Sequence, residues 1–377
     1  MFSKRYLEPL ISQAFSDQKM AFVGGARQVG KTTLSFDVIN AKDETHPAYF
    51  NWDIPGDVHT LIDGKLPPKE GIIVLDEIHK YGQWRNLVKG LYDGNKSSRS
   101  FLVTGSARLD YYRKGGDGLL GRYRYFRLHP FSINELGGKG MDDTKYLLEF
   151  GGFPEICLSG NHRKLRLWQR ERLSRLVRDD LRDMHMVRDV SLIELLASCL
   201  EKKVGSPLSI QSLRSDISVA HQTLESWITM LENLYFCFRI APFGSPKIKA
   251  VKKEKKLYLW DWSSVQDHGA KFENMVAMQL LKYCHLKEDH DGYRMELRYI
   301  RDINKRETDF VVLCDDTPEF AVEVKSKASS NVQSMMYFKE RTAIPKWFQV
   351  HLSDDHYVKN DIQIMPFHIF CQNLNMP

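Results

Sequence analysis

The 377-residue chain has few cysteines and no CxxC pair among them: Cys157, Cys199, Cys237, Cys284, Cys314 and Cys371 stand far apart. That spacing excludes the usual zinc motifs and a disulfide framework, and it fits a reducing, cytoplasmic setting. No apolar run approaches the roughly 20 residues that a helix needs to cross a bilayer. The N-terminal MFSKRYLEPLISQAF has no uninterrupted apolar core, because Lys4, Arg5 and Glu8 break it, so no signal peptide is expected. Internal repeats and low-complexity tracts are missing too. Charge of one sign is not in large excess: the formal net charge of +6 does not by itself point to a nucleic acid. What remains is an ordinary globular composition, 42% hydrophobic and 27% charged, in a chain long enough for two or three domains.

Short β-branched runs alternate with helical stretches in the first third, which predicts a parallel α/β architecture. Strands are expected at Met20–Val23, Ala48–Asn51, Gly71–Leu75, Phe101–Thr104 and Tyr123–Leu128, with a helix over Lys31–Ile39 and a glycine-rich loop at Gly115–Gly118. Residues 142–190 read as helical and heavily charged. Leu192–Lys203, a short helix capped by Ser209, and Ala220–Leu234 are then followed by a β-rich run at Tyr235–Ile240. Three helices ending in a ribbon are the pattern of a winged helix. The last stretch opens with a helix at Phe272–Cys284 and continues with strands at Met295–Ile300, Asp309–Leu313 and Phe320–Val324. The expected division is a parallel α/β domain over 1–140, which holds the motifs described next, a helical lid or linker over 141–190, a winged-helix-like domain over 191–256, and an α/β domain over 257–377.

Gly25-Ala26-Arg27-Gln28-Val29-Gly30-Lys31-Thr32, followed by Thr33, fits the P-loop template between a strand and a helix. Glycines let backbone N–H groups turn inward to cradle phosphate oxygens at a helix N-terminus. Lys31 is expected to reach the β- and γ-phosphates of ATP, and Thr32 to ligate Mg²⁺. Ile72-Ile73-Val74-Leu75-Asp76-Glu77 is an apolar strand ending in two carboxylates, the Walker B pattern. Asp76 would order the magnesium's water shell, and Glu77 would polarise the attacking water as general base. The two motifs in this order outweigh the plain alternatives, a glycine turn capping a helix and a solvated Asp-Glu pair. Thr104 and Ser106, after the third strand, would lie between the motifs; they either sense the γ-phosphate or merely cap the strand.

GARQVGKTTL, IIVLDEIHK, LVTGSARL and GRYRYFRLHPFSINEL resemble the AAA+-type family of prokaryotic ATPases with an uncharacterised C-terminal region, and so do GGFPEI, GAKFENMVAMQL, RETDFVVL and AVEVKS. The resemblance runs along nearly the whole chain. It implies an arginine that completes the site, often from an adjacent subunit. Arg122 is the candidate and Arg108 the runner-up, the alternative for each being a pair with a surface carboxylate. An arginine acting in trans implies a homo-oligomer, plausibly a ring.

Further on, Asp309 starts one apolar strand, and Glu323 and Lys325 project from one face of the next. With Glu273 on the preceding helix, this order resembles the PD-(D/E)XK nuclease superfamily, and the resemblance makes 257–377 a nuclease-like domain. The resemblance implies Mg²⁺ held by Glu273, Asp309 and Glu323, with Lys325 orienting a water. A cross-strand ion pair is the ordinary alternative.

Of two basic segments, one points toward DNA as a partner. Lys247–Lys256 holds six lysines against one glutamate just after the expected wing, where a phosphate contact would fall, and His221, Gln222 and Ser226 are candidate base contacts. Arg163–Arg188 carries nine Lys or Arg residues, but Asp179, Asp180 and Asp183 neutralise its later half, which favours a solvated, salt-bridged lid helix. The leading expectation is a DNA-associated ATPase in which nucleotide state moves a winged helix and a nuclease-like domain. The alternatives are a slow ATP switch that binds a protein partner and an ATP-gated, Mg²⁺-dependent nuclease.

Overall fold

The computed structural model describes residues 4–68, 70–106, 117–138, 140–176, 190–244 and 254–377. Arg108, Gly115, Asp179, Asp180, Asp183 and residues 247–253 lie outside the described residues. The chain divides into two compact units, Lys4–His129 and Pro130–Pro377.

In the first unit, helix α1 (Glu8–Ser16) leads into strand β1 (Met20–Gly25), and the phosphate loop connects β1 to α2 (Lys31–Ile39). Strand β2 (Tyr49–Asn51), helix α3 (Pro55–Ile62), β3 (Gly71–Asp76), α4 (Trp84–Asn95), β4 (Arg99–Thr104) and β5 (Tyr123–Leu128) follow. Among the described residues these strands form a five-stranded sheet in the order β2-β3-β4-β1-β5, every pair parallel. A parallel strand covered on both faces has no reason to alternate polar and apolar residues. β1 obeys this, with all six residues buried. Phe22, Phe50, Ile73, Leu75, Phe101 and Val103 pack with Trp84, Val88 and Leu91 in one core. The order leaves β4 between β1 and β3, so the ends of the two motif strands flank the end of β4.

The second unit starts with helices α5 (Met141–Phe150), α6 (Pro154–Ser159) and α7 (His162–Arg175). Helix α7 is not solvated all round. It buries Leu165 and Trp168, the Trp168 indole N–H donates to Asp261 Oδ2 at 2.8 Å, and the Arg172 guanidinium pairs with the same carboxylate at 3.0 Å. Helices α8 (Val190–Glu201), α9 (Ile210–Ile217) and α10 (His221–Asn233) come next, and the Ser209 hydroxyl caps α9 by accepting from Ser212 N–H.

The ribbon after α10 is β6 (Cys237–Pro242) paired antiparallel with β7 (Lys256–Leu259). It does not end there. β6 runs on beside β8 (Met295–Arg301) through Ala241 and Pro242, so the expected wing is continuous with the last sheet. Among the described residues that mixed sheet has eight strands in the order β12-β13-β11-β10-β9-β8-β6-β7. It includes β9 (Glu307–Cys314), β10 (Thr317–Val324), β11 (Trp347–His351), β12 (Tyr357–Lys359) and β13 (Ile362–Pro366). Helix α11 (His268–Leu286) is largely buried, while α12 (Gln333–Lys339) adds Met335 and Phe338 to a core with Val311, Ala321 and Trp347. A final helix, α13 (Phe367–Asn373), closes the chain. No helix among the described residues is long and apolar enough to cross a membrane.

Candidate functional site

The phosphate loop needs glycine at two points. Gly25 has φ +153°, and a Cβ there would lie 2.5 Å from the Leu128 carbonyl oxygen. Gly30, with φ +97°, turns the chain into α2. Arg27, Gln28 and Val29 form the loop's crown, with Gln28 exposed and Val29 buried. The Lys31 ammonium is buried and donates to the carbonyls of Gly25 at 3.0 Å and Ala26 at 2.8 Å. It is thus held across the concave side of the loop. Thr32 and Thr33 are exposed at the start of α2.

Asp76 closes the site from β3. Its Oδ2 accepts from the Thr32 hydroxyl at 3.0 Å and the Tyr49 hydroxyl at 2.6 Å, and its Oδ1 from the Thr104 hydroxyl at 2.5 Å. Burial comes first, and the Asp76 charge second, in pushing the Tyr49 phenol well above its ordinary value. A threonine hydroxyl beside a carboxylate is a hard oxygen pair of the kind that Mg²⁺ takes alongside phosphate oxygens and water. Thr32 and Asp76 therefore fit that ion. Glu77 follows in the left-handed region, φ +55° and ψ +18°, which a non-glycine residue occupies at a cost of order 1–3 kcal/mol. Its carboxylate is 3.7 Å from the Lys80 ammonium, which also binds Asp53 at 2.5 Å. Burial raises the Glu77 pKa above the ordinary carboxylate range, Lys31 opposes the rise, and Asp76 adds to it.

The remaining expected ATP-site residues divide. Ser106 is buried just beyond Thr104, while Thr104 itself bonds Asp76. Arg122 is not brought to the loop. Its carbonyl accepts from Met20 N–H at the start of β1, and its guanidinium pairs with Asp93 at 3.0 Å. The phosphate loop leaves the other end of that strand, roughly 17 Å away at about 3.3 Å per residue. Within one chain Arg122 cannot complete the site.

In the second unit two of the three expected carboxylates, Glu273 and Asp309, come together around a lysine, and Glu323 pairs with Lys325 instead. Lys256, the last of the lysine-rich run, is completely buried on β7. Its ammonium pairs with Glu307, with Glu273 Oε1 at 3.3 Å and with Asp309 Oδ1 at 3.5 Å. Glu273 Oε1 also accepts from the Tyr258 hydroxyl at 2.7 Å. Asp309 Oδ2 accepts from Val324 N–H at 2.8 Å, and Lys325 pairs with Glu323 at 2.6 Å. Burial, then the Asp309 charge, pushes Glu273 up to about 7 and Glu323 up to about 8. Lys256 itself rises, because Asp309, Glu273 and Glu307 outweigh the lowering by burial. Mg²⁺ ligated by Glu273, Asp309 and Glu323 does not fit this arrangement. The first two carboxylates already share an ammonium, and among the described residues no group of three His, Cys, Asp or Glu side chains could hold a metal. Lys256 is equally unavailable to a DNA phosphate.

Residues 17–137 match a family model described as an AAA domain. The first unit has the parallel α/β fold of an AAA-type P-loop protein. Two further models, each described as a domain of unknown function, match residues 141–266 (DUF8612) and 268–370 (DUF4143). Two curated relatives come from Methanocaldococcus jannaschii. Uncharacterized protein MJ1544 is 23% identical over 78% of this chain and 72% of its own length. Uncharacterized protein MJ1637 is 23% identical over 93% of this chain and 84% of its own. Among solved structures, the Aeropyrum pernix ORC1 protein in complex with DNA is 12% identical, covering 74% of this chain and 93% of that one, with a TM-score of 0.34. The Thermotoga maritima RuvB Holliday junction branch migration motor is 16% identical over 62% of this chain and 87% of that one, with a TM-score of 0.30. At these TM-scores neither likeness bears on partner or activity.

Two residues of the AAA-type site have no motif to mark them. Tyr49 reaches Asp76 only because β2 pairs with β3. Arg5 is buried, and its guanidinium donates to the Val29 carbonyl at 2.8 Å and to that of His129, bracing the loop from behind. A buried arginine near a polar N-terminus leaves no signal in a single sequence.

Proposed function

We propose that the first unit binds ATP with Mg²⁺ and hydrolyses it. The observation that carries this reading is the Thr32–Asp76 hydrogen bond, which joins the two nucleotide motifs across the end of β4. Bound Mg²⁺ would neutralise charge on the β- and γ-phosphates. Lys31 would exchange its two loop carbonyls for phosphate oxygens, gaining charge-assisted hydrogen bonds. Thr104 and Tyr49 hold the Asp76 carboxylate in one orientation. Glu77 would accept the proton of the attacking water. Arg122 is assigned a role only in a neighbouring copy's site, and the homo-oligomer enters the reading through it alone. Lys31→Ala is expected to weaken ATP binding about 10- to 100-fold in equilibrium titration, the worth of roughly 1.5–3 kcal/mol in bonds to a charged group. Unchanged affinity in that variant sinks the assignment.

Association with a nucleic acid is the second reading, and α7 favours it. Arg163, Arg166 and Arg170 recur at helical spacing opposite the buried Leu165 and Trp168, with Lys164 alongside, and all four are exposed. Among the described residues none of them has an ion-pair partner, whereas the salt-bridged lid expected from sequence would pair them. Helix α10 offers no such face: it carries no Lys or Arg, and nearby Arg239 is tied to Glu225 at 2.9 Å and Glu232 at 2.8 Å. The Arg163→Gln, Arg166→Gln, Arg170→Gln variant is expected to flatten the plot of log affinity for duplex DNA against log salt by roughly 3, at about 0.9 for each phosphate that is no longer neutralised. No duplex binding by the unaltered protein at low salt, or an unchanged slope in the variant, removes this reading and favours a protein partner.

A further inference from the structure

We propose that Lys256 is the resident cation of the C-terminal carboxylate site, so that a side chain of β7, and no divalent metal ion, holds Glu273, Glu307 and Asp309 together. The inference is independent of the ATPase reading, since all the groups lie in the second unit.

Three observations carry it. First, the ammonium is wholly removed from solvent and meets three carboxylates, one on α11 and two from the β9 segment Glu307–Asp309. A lysine reaches such a place only where its charge is matched. Second, the acids are held for that ammonium. Tyr258 OH bonds the Glu273 oxygen that Lys256 uses, and Arg301 binds the other Glu307 oxygen at 3.0 Å. The backbone of Gly205 packs beside Glu273, where an added Cβ would come within 3.3 Å of both carboxylate oxygens. Third, the lysine arrives from the ribbon: β7 pairs with β6, which continues the helical segment into the sheet. The same charge that completes the site therefore fastens α8–α10 to the carboxylate strands. A Mg²⁺ ion placed among these acids would face an ammonium at close range, and the two like charges repel. With Glu273 and Asp309 so engaged, the three-carboxylate ligand set of Glu273, Asp309 and Glu323 is not formed.

The test is divalent-cation binding and stability of the full, nucleotide-free chain. Mn²⁺ is the probe, followed by electron paramagnetic resonance and by thermal unfolding. The unaltered protein is expected to show no Mn²⁺ binding that is lost in Asp309→Asn. Lys256→Met is expected to lower the melting temperature by roughly 6–20 °C, and Mn²⁺ is expected to restore part of that loss. Should Lys256→Met fail to fold, the variant that adds Glu273→Gln and Glu307→Gln removes two of the three acids with the cation and is expected to fold. Mn²⁺ binding to the unaltered protein that disappears in Asp309→Asn overturns the proposal. So does a Lys256→Met protein as stable as the unaltered one, and so does failure of the triple variant to fold.

Discussion

Glu77→Gln is expected to lower ATP turnover about 10²- to 10⁴-fold while leaving ATP affinity unchanged. The amide keeps the size and most of the hydrogen-bonding capacity of the carboxylate but cannot take a proton from water. Lys31 and Asp76, the proposed binding residues, are untouched. Glu77 is well placed for the role in two respects. It sits in a strained backbone conformation directly after Asp76, and strain of that kind persists only where the surroundings impose it. Burial also raises its pKa, so it is a stronger base than an exposed glutamate. The sign of the pH effect follows: a raised pKa means the base is lost to protonation earlier as pH falls, so the acid limb of turnover lies above the ordinary carboxylate range and vanishes in Glu77→Gln. Phosphate release measured across pH, together with ATP titration of both proteins, checks this. Undiminished turnover in Glu77→Gln would remove Glu77 as the base.

The parts of this molecule that a sequence shows best are those fixed by local chemistry. β1, the phosphate loop, α2 and β3 are legible because a buried parallel strand must be apolar and a phosphate cradle must contain glycine. Tyr123–Leu128 and Lys31–Ile39 also have the expected bounds. What is not legible depends on which strands become neighbours. Tyr49 is an ordinary strand residue until β2 lies beside β3. Arg5 acquires its role from His129, 124 positions away. Lys256 is the clearest case. In sequence it ends a lysine run, and such runs are usually solvated; its burial is decided by β6 pairing on one side with β7 and on the other with β8. Glu307 escapes notice because Asp309, two residues on and facing the same side, fits a known spacing. Motif reading selects the carboxylates and overlooks the cation that they surround.

The same balance of buried charge sets a stability effect as large as that of Lys256→Met at a second place in this unit. Lys282, on α11, is 1% exposed and pairs with Glu135, which is 3% exposed. The ammonium also donates to the Pro130 carbonyl at 3.3 Å, and Glu135 accepts from Ser132 N–H at 3.0 Å and from its hydroxyl at 3.2 Å. Nothing in this network is screened by water. Lys282→Met keeps the length of the side chain and deletes the charge, taking from the buried Glu135 carboxylate the ammonium that it pairs with. Breaking one partner of such a pair costs about 3–5 kcal/mol, or roughly 6–20 °C in melting temperature for a unit of this size. Adding Glu135→Gln should recover much of the loss, because the amide carbonyl can still accept from Ser132 while the stranded charge is gone. Thermal or denaturant unfolding of the single and double variants separates the two contributions. A double variant no more stable than Lys282→Met would mean that the lysine stabilises α11 by packing alone, and not by neutralising Glu135.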